Sequence, residues 1–573
     1  MKSAAVRGAR PRQTQNAPRA APSVPVTGYA LPNALARFRR APLGLTAAAT
    51  AVGLLAVMPL IYIVWRAAQA SPETWGRLWS GQIPGLLANT LALLVTTAAF
   101  TAGLGLALAW LVERTDLPGR SLWRWLLALP IAVPAYVGAL CYLIVFRRGG
   151  LLEQAAMQWG GLAFGALPLP NLYSLWGATF IIGLFTFPYV YLPTAAALRA
   201  TNWSMEEAAR VAGRDAWGAF RDVVLPLIAP ALLAGVLLVG LYVLGDFGTV
   251  KLIHFRTFTA AIFNQFTGQV NREGAAILSF VLIALTAPLL AAEARLNRHR
   301  PVAPPNWRPR RLAPLGRWRW LALAFCGAAA FFALGLPFAV LGGLTLQGWL
   351  MPTEVDRLWS VGGENIWRYG LNSLLLSGLA ATLAVILAFA PAYLAARQAH
   401  PLARALLTLS KAGYALPGVI AGLSLILLFN QFVPALYGTL AVLVIGFAAR
   451  FLPQAAAVNE AAVKAVPPTL EQAARLMGRT PWQTFREVTL PLAAPGLKAS
   501  WVLVFLTAMK ELPTAVLLRP PGFDTLPVRV WAAASESVYT QAAPPAFLLI
   551  TLTLLVLGLL FARGRFGLDE VVY

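Results

Sequence analysis

The chain has 573 residues, of which 58% are hydrophobic and only 12% charged, with a mean hydropathy of +0.67. Soluble globular chains carry about 25% charged residues, so a string of soluble domains is excluded and an integral membrane protein is indicated. The net charge of +24, from 46 Lys+Arg against 22 Asp+Glu, falls between apolar runs, which reads as membrane sidedness rather than as a nucleic-acid footprint.

Residues 1–43 come first, with Lys2, Arg7, Arg10, Arg12, Arg19, Arg37, Arg39 and Arg40 and no acid before residue 40. They are expected to form a basic cytoplasmic tail against anionic lipid. The stretch is too long for the charged region of a signal peptide and no cleavage site follows the first span; an export signal built on Arg39-Arg40 is the lesser reading. About 20 apolar residues cross a bilayer as a helix. Twelve such runs are predicted, near 44–66, 86–112, 122–146, 174–198, 228–250, 275–295, 317–342, 371–396, 406–430, 437–456, 497–518 and 544–562. The expected organisation is a first six-span domain over 44–295, an Arg/Pro-rich linker over 296–316, a second six-span domain over 317–562, and a tail over 563–573.

Alternate loops test the count. Arg114, Arg120 and Arg124, then Arg199, Arg210, Arg214 and Arg221, then the linker, then Arg397 and Arg404, then Lys464, Arg475, Arg479 and Arg486 fall on one side. The opposite loops hold Glu73, Glu153, Glu354, Asp356, Glu364, Asp524 and Glu536, with 251–274 mixed. Both termini are therefore expected in the cytoplasm. Cys141 and Cys326 lie far apart in apolar runs, and His254, His299 and His400 are scattered, so no disulfide framework and no clustered metal motif is present.

Within this oily chain a polar block occurs twice. EEAARVAGRDAWGAFRDVVLPLIAP at 206–230 returns as EQAARLMGRTPWQTFREVTLPLAAP at 471–495, with 15 of 25 positions identical and an offset of 265 set by Gly213 and Gly478. Upstream, Asn89-Thr90-Leu91 matches Asn372-Ser373-Leu374, and Pro134 matches Pro417, both at an offset of 283. The 18 extra residues of the first half belong in the 147–173 loop. Six spans plus six in the same orientation make parallel repeats.

Each copy begins with a short amphipathic helix. Glu206, Glu207 and Arg210 alternate with Ala208 and Ala209; the second copy has Glu471, Gln472, Ala473 and Ala474. Gly213 and Gly478 break the helix, since glycine reaches backbone angles other residues avoid. Trp217 and Phe220, matched by Trp482 and Phe485, add large apolar contacts. The Leu-Pro pairs at 225–226 and 490–491 are expected to start a new helix entering the membrane. Such an element either docks a partner in the helix-in-groove mode or rests on lipid headgroups.

The spacing Glu207-Ala208-Ala209, Gly213, Val223, Leu225-Pro226, repeated as Gln472-Ala473-Ala474, Gly478, Val488, Leu490-Pro491, resembles the EAA loop of ABC importer permeases. The departure is Gln472 in place of Glu, with Glu471 beside it. The resemblance implies coupling helices at 206–218 and 471–483 that fit a groove on an ATPase. The chain has no GxxxxGK[ST], the glycine loop and lysine that phosphate binding of that type needs. No cofactor is expected on this chain; ATP-Mg belongs to two copies of a separate cytoplasmic ABC ATPase. Nucleotide-driven closure of those subunits would rock the bundle between inward- and outward-open states.

After each Leu-Pro pair a helix ends in a polar cluster, Asp246 and Thr249 in the first half, Lys510 and Glu511 in the second, with Asp246 and Glu511 aligned. Intramembrane charge is costly and points to a translocation path, unless both acids lie near the outer interface. The stretches GDFGTV and MKELPTAVLLRPPGFDTLPVRVW are similar to fused permeases for ferric iron. That resemblance implies an all-α bacterial inner-membrane protein importing Fe(III) from a periplasmic or lipid-anchored binding protein. Permeases for thiamine, aminoethylphosphonate, sulfate and polyamines share the architecture. An ion-coupled secondary transporter would also show two parallel halves, but it does not explain two polar amphipathic repeats. No nucleophile–base or metal constellation supports a membrane enzyme.

Overall fold

The computed structural model describes residues 43–201, 203–269, 271–298, 312–350, 365–398 and 400–562. The expected N-terminal tail, most of the central linker and the C-terminal tail lie outside the described residues. The first half contains α1 (Leu43–Ala68), α2 (Ile83–Arg114), α3 (Arg120–Leu126), α4 (Ala135–Phe146), α5 (Leu175–Thr186), α6 (Pro188–Ala200), α7 (Trp203–Val211), α8 (Ala216–Gly245), α9 (Gly248–Leu252), α10 (Phe258–Thr267) and α11 (Arg272–Arg298). The second contains α12 (Gly316–Leu350), α13 (Asn365–Arg397), α14 (Pro401–Ser410), α15 (Gly418–Phe432), α16 (Leu440–Lys464), α17 (Pro468–Leu476), α18 (Pro481–Met509), α19 (Pro513–Leu518), α20 (Leu526–Ser535) and α21 (Tyr539–Ala562). Among the described residues these elements match in order, except that α5 and α6 correspond to the single helix α16; the first half has two more helices, Pro72–Gly81 and Leu151–Gly160.

Among the described residues ten helices are long and apolar enough to cross a membrane, or eleven if α5 and α6, bent by 46°, form one span. Proline explains the difference. Pro188 opens α6 and Pro193 follows one turn later, whereas α16 carries only Pro453, the counterpart of Pro188. Each ring removes an i→i−4 bond and crowds the preceding turn. The expected spans at 122–146 and 406–430 are not continuous. Each is cut before Pro134 or Pro417, which cap α4 and α15 in extended conformation. The residues before them, Val133 and Leu416, are extended too, as proline imposes on its predecessor. This leaves α15 with 15 residues, short for a crossing.

A second departure concerns the Leu-Pro pairs. They do not start helices. The helix begins nine residues earlier, at Ala216 and Pro481, capped by Asp215 and Thr480, and runs on through the proline. A π-turn at 220–224 and 485–489 lets Leu225 donate to the Phe220 carbonyl and Leu490 to the Phe485 carbonyl. The wider turn absorbs the ring and the missing N–H of Pro226 and Pro491.

The two sequence halves interlock. Helix α1 packs on α13, α14 and α15, while α12 packs on α4 and α21. Tyr62 of α1 donates to Gln431 at 2.9 Å, and Tyr142 of α4 to the Phe332 carbonyl of α12 at 3.1 Å. The matched Asn-Thr and Asn-Ser pairs are clamps. Asn89 donates to the Arg256 carbonyl, and Thr90 accepts from Phe258 N–H at the start of α10. Asn372 and Ser373 do the same to the Asp524 carbonyl and Leu526 N–H at the start of α20. The 147–173 insertion folds into a helix, Leu151–Gly160, pinned by the buried Glu153 accepting from the Gly149 and Gly165 amides.

Candidate functional site

The polar repeat folds twice into one device. Helices α7 and α17 are each nine residues long, too short to hold without support. Each ends in the same turn. Gly213 N–H bonds to the Arg210 carbonyl and Arg214 N–H to that of Ala209; Gly478 and Arg479 bond to Arg475 and Ala474 in the same way. This 6→1, 5→2 pattern needs a left-handed residue, and Gly213 and Gly478 have φ of +87° and +83°. A Cβ at either would meet nothing, so the glycines are there for the angle and not for space.

Support comes from an arginine in each half, Arg114 fully buried and Arg397 10% exposed at its side chain. Arg397, the last residue of α13, gives Nε and Nη2 to Glu471 at 3.0 and 2.8 Å, and Thr489 donates to the same carboxylate at 2.8 Å. The counterpart in the first half is Arg114, the last residue of α2, 3.4 Å from Glu206. An aromatic ladder runs alongside. Arg114 lies over Trp110, Trp110 meets Phe220 edge-on, and Phe220 stacks on Trp217. Arg397, Tyr393, Phe485 and Trp482 repeat the order. Sequence reasoning missed both arginines, although each ends a span at the repeat offset of 283.

The acid that faces inward is therefore Glu206 or Glu471. Glu207, Gln472, Ala208 and Ala473 are exposed, Ala209 is half-buried and Ala474 buried. That placement accounts for Gln472: the outward position needs no charge to hold the fold. Trp217 and Trp482 are 66% and 65% exposed, and Val211 and Leu476 each 89%. Large apolar side chains are thus left open at matched positions in both halves.

The polar clusters after α8 and α18 meet across the two halves. Asp246, Lys510 and Glu511 line a cavity of about 200 Å³ together with Tyr136, Gly418, Arg450 and Thr507. Asp246 accepts from Thr249 at 2.9 Å and from the Val250 amide at 3.2 Å, holding α9. Glu511 accepts from Thr514 at 2.7 Å. Thr249 stands behind Asp246, fully buried, and does not line the cavity. Lys510 donates across the seam to the Ile131 carbonyl at 2.7 Å. Gly248 packs against Tyr136 of its own half and Leu512 of the other, where a Cβ would stand 2.7 and 2.9 Å away. Tyr136 and Arg450 were not singled out from the sequence. Arg450 carried a signal, as a lone cation inside the 437–456 run.

Comparison with known proteins places this geometry. The model of the family described as "Binding-protein-dependent transport system inner membrane component" matches residues 99–300 and again 380–566. The Fe(3+)-transport system permease protein FbpB 2 of Haemophilus influenzae is 28% identical over 517 residues, covering 89% of this chain and 96% of the relative. The molybdenum transport system permease protein ModB of Escherichia coli is 29% identical over 231 residues, 39% of this chain and 96% of the relative. The sulfate transport system permease protein CysT of Salmonella typhimurium is 30% identical over 203 residues, 35% of this chain and 70% of the relative. Two family matches in one chain, with apolar helices throughout, make it a multi-pass inner-membrane protein of the fused, two-repeat type. The chain belongs to the binding-protein-dependent transport system inner membrane component family, the permeases of ABC importers.

Proposed function

We propose that this permease carries Fe(III) from an extracytoplasmic binding protein into the cell, driven by two copies of a separate cytoplasmic ABC ATPase seated on α7 and α17. The observation that carries the reading is the duplicated device itself: two short helices, each clasped to a span end by an arginine and each presenting open apolar side chains. A force applied there is transmitted to α2 and α13 through the clasp and to α8 and α18 through the capped turn. In this reading each half contributes six crossings: the ten long helices, one of which continues α4 into Leu151–Gly160, the bent pair α5–α6, and the broken segment α14–α15, with both termini facing the cytoplasm. The cavity at the seam, with Asp246 and Glu511 on opposite halves, is the path, closed where Gly248 meets Leu512 and Lys510 reaches Ile131.

Iron is supported by the similarity that spans nearly the whole chain. An oxyanion such as sulfate or molybdate is the second reading, favoured by Arg450 and Lys510 in the same cavity and by the half-length relatives. Proteoliposomes containing the permease, its ATPase and its binding protein distinguish these. ATP-dependent accumulation of radioactive iron is expected. Uptake of sulfate or molybdate alone would reassign the substrate, and uptake by the permease without ATPase would overturn the mechanism.

A further inference from the structure

One large apolar cavity lies beside the first docking element and shares Trp217 and Phe220 with it. It is a lateral groove of about 960 Å³ between α2, the foot of α8 and the start of α12, and every residue lining it is apolar, among them Leu106, Trp110, Trp217, Phe220, Trp318 and Phe325. Its outer wall is fixed rather than loose. The segment entering α12 is stitched to the end of α2 by a bridge between Thr115 and Ala313, by Ala313 N–H bonding to the Arg114 carbonyl at 2.9 Å, and by Leu315 N–H bonding to Asp116 at 2.7 Å. A preformed apolar slot of this size takes the acyl chains of one phospholipid. Cations neighbour its lining residues in the chain: Arg317 and Arg319 flank Trp318, with Arg317 over the Trp318 ring and Arg319 over Trp320, and Arg221 follows Phe220; all three are exposed and in no ion pair among the described residues.

We propose that this groove is a binding site for one anionic phospholipid of the inner leaflet, its acyl chains against α2 and α12 and its headgroup on Arg317, Arg319 and Arg221. Basic residues close to a bilayer attract anionic lipid, each by a modest increment, and here the increments converge on one slot. The site has a consequence for coupling. Two of its walls, Trp217 and Trp110, are rungs of the aromatic ladder that ends at Arg114 and Glu206. A lipid seated there packs on the same side chains that hold α7, so occupancy stiffens the first lever. The inference rests on the sidedness of the proposed function but not on ATPase docking or on the substrate.

The permease alone, in nanodiscs of phosphatidylcholine with a minority of phosphatidylglycerol, provides the test. After extraction into mild detergent, native mass spectrometry counts retained lipids. Selective retention of phosphatidylglycerol is expected. Arg317→Glu with Arg319→Glu should weaken it by roughly thirty-fold, about fivefold for each cation lost near an anionic surface. Ala107→Phe, which fills the floor of the groove, should abolish it. Should Ala107→Phe misfold, the surface double variant still decides. Equal retention of both lipids, or undiminished phosphatidylglycerol in the double variant, would overturn the proposal. So would loss of the lipid on adding ATPase, which would make the groove part of a protein interface. Because the first arms contain no ATPase, a failed docking reading leaves them unaffected.

Discussion

Removing Glu471 isolates the clasp from everything else in the proposed docking device. Glu471→Ala leaves Arg397 with the Val466 carbonyl alone and leaves Thr489 without its acceptor. Both partners of the pair are 10% exposed, so the loss is that of a broken buried pair, about 3–5 kcal/mol. The cost falls locally, because a nine-residue helix has little stability of its own and α17 opens before the bundle does. A shift of about 3 kcal/mol corresponds to roughly 150-fold faster amide exchange over 468–476. Hydrogen–deuterium exchange by mass spectrometry on the reconstituted permease measures this directly, with the exposed Glu207→Gln as a control that should leave exchange over 468–476 unchanged. Recovery of bound ATPase should fall in parallel. Unchanged exchange in α17 of the Glu471→Ala variant would refute the claim that the arginine clasp holds the lever.

Three further outcomes follow from the same geometry. Gly213→Ala or Gly478→Ala should cost about 1–2 kcal/mol through the left-handed backbone alone, since no neighbour is near; co-purification with the ATPase should drop while membrane insertion holds. Asp246→Asn with Glu511→Gln removes both cavity carboxylates while an amide oxygen still accepts from the Val250 amide and another from Thr514; the amide NH2 replaces the oxygen that faced Thr249, whose hydroxyl can accept in its turn. Iron uptake should fall with complex assembly intact, and wild-type uptake would take the pair out of the path. Gly418→Ala places a methyl 2.3 Å from Glu511 Oε1 and 2.7 Å from the Pro513 ring. The overpacking costs about 1–3 kcal/mol and should lower the thermal midpoint in detergent.

The sequence made the duplication and the bundle legible because both rest on periodicity and identity. The lever was legible at Gly213 and Gly478, where a conformational requirement restricts the residue to one type. What escaped was whatever depends on distant partners. Nothing near Glu471 announces Arg397, 74 residues away. The segments at 122–146 and 406–430 read as continuous because their apolar content is uniform, although Pro134 and Pro417 stood in them as breaks. The Leu-Pro pairs misled in the opposite direction: proline was read as a start, whereas a π-turn carries the helix past it. Arg450 lies outside the repeat signal, because Phe185 stands at its counterpart position in the first half.

The two levers are alike in plan but not in strength, and one substitution tests whether that inequality is built in. Thr489, which bonds Glu471, has Val224 as its counterpart, fully buried at the same turn of α8. Valine offers no donor, and among the described residues the ion pair of Glu206 is the 3.4 Å contact with Arg114. The first lever is therefore the more compliant, and it is also the one bordered by the apolar groove. Val224→Thr installs the missing hydroxyl with almost no change of shape. If it reaches Glu206, the added bond to a carboxylate contributes about 1.5–3 kcal/mol, less the cost of burying the hydroxyl, for a net near 1 kcal/mol. Exchange over 203–211 should then slow by about fivefold, and slow further relative to a Val224→Thr, Glu206→Gln double variant, in which the acceptor is uncharged. Faster exchange in the single variant would show that Glu206 and Val224 do not repeat the geometry of Glu471 and Thr489, and that the halves differ in more than one hydrogen bond.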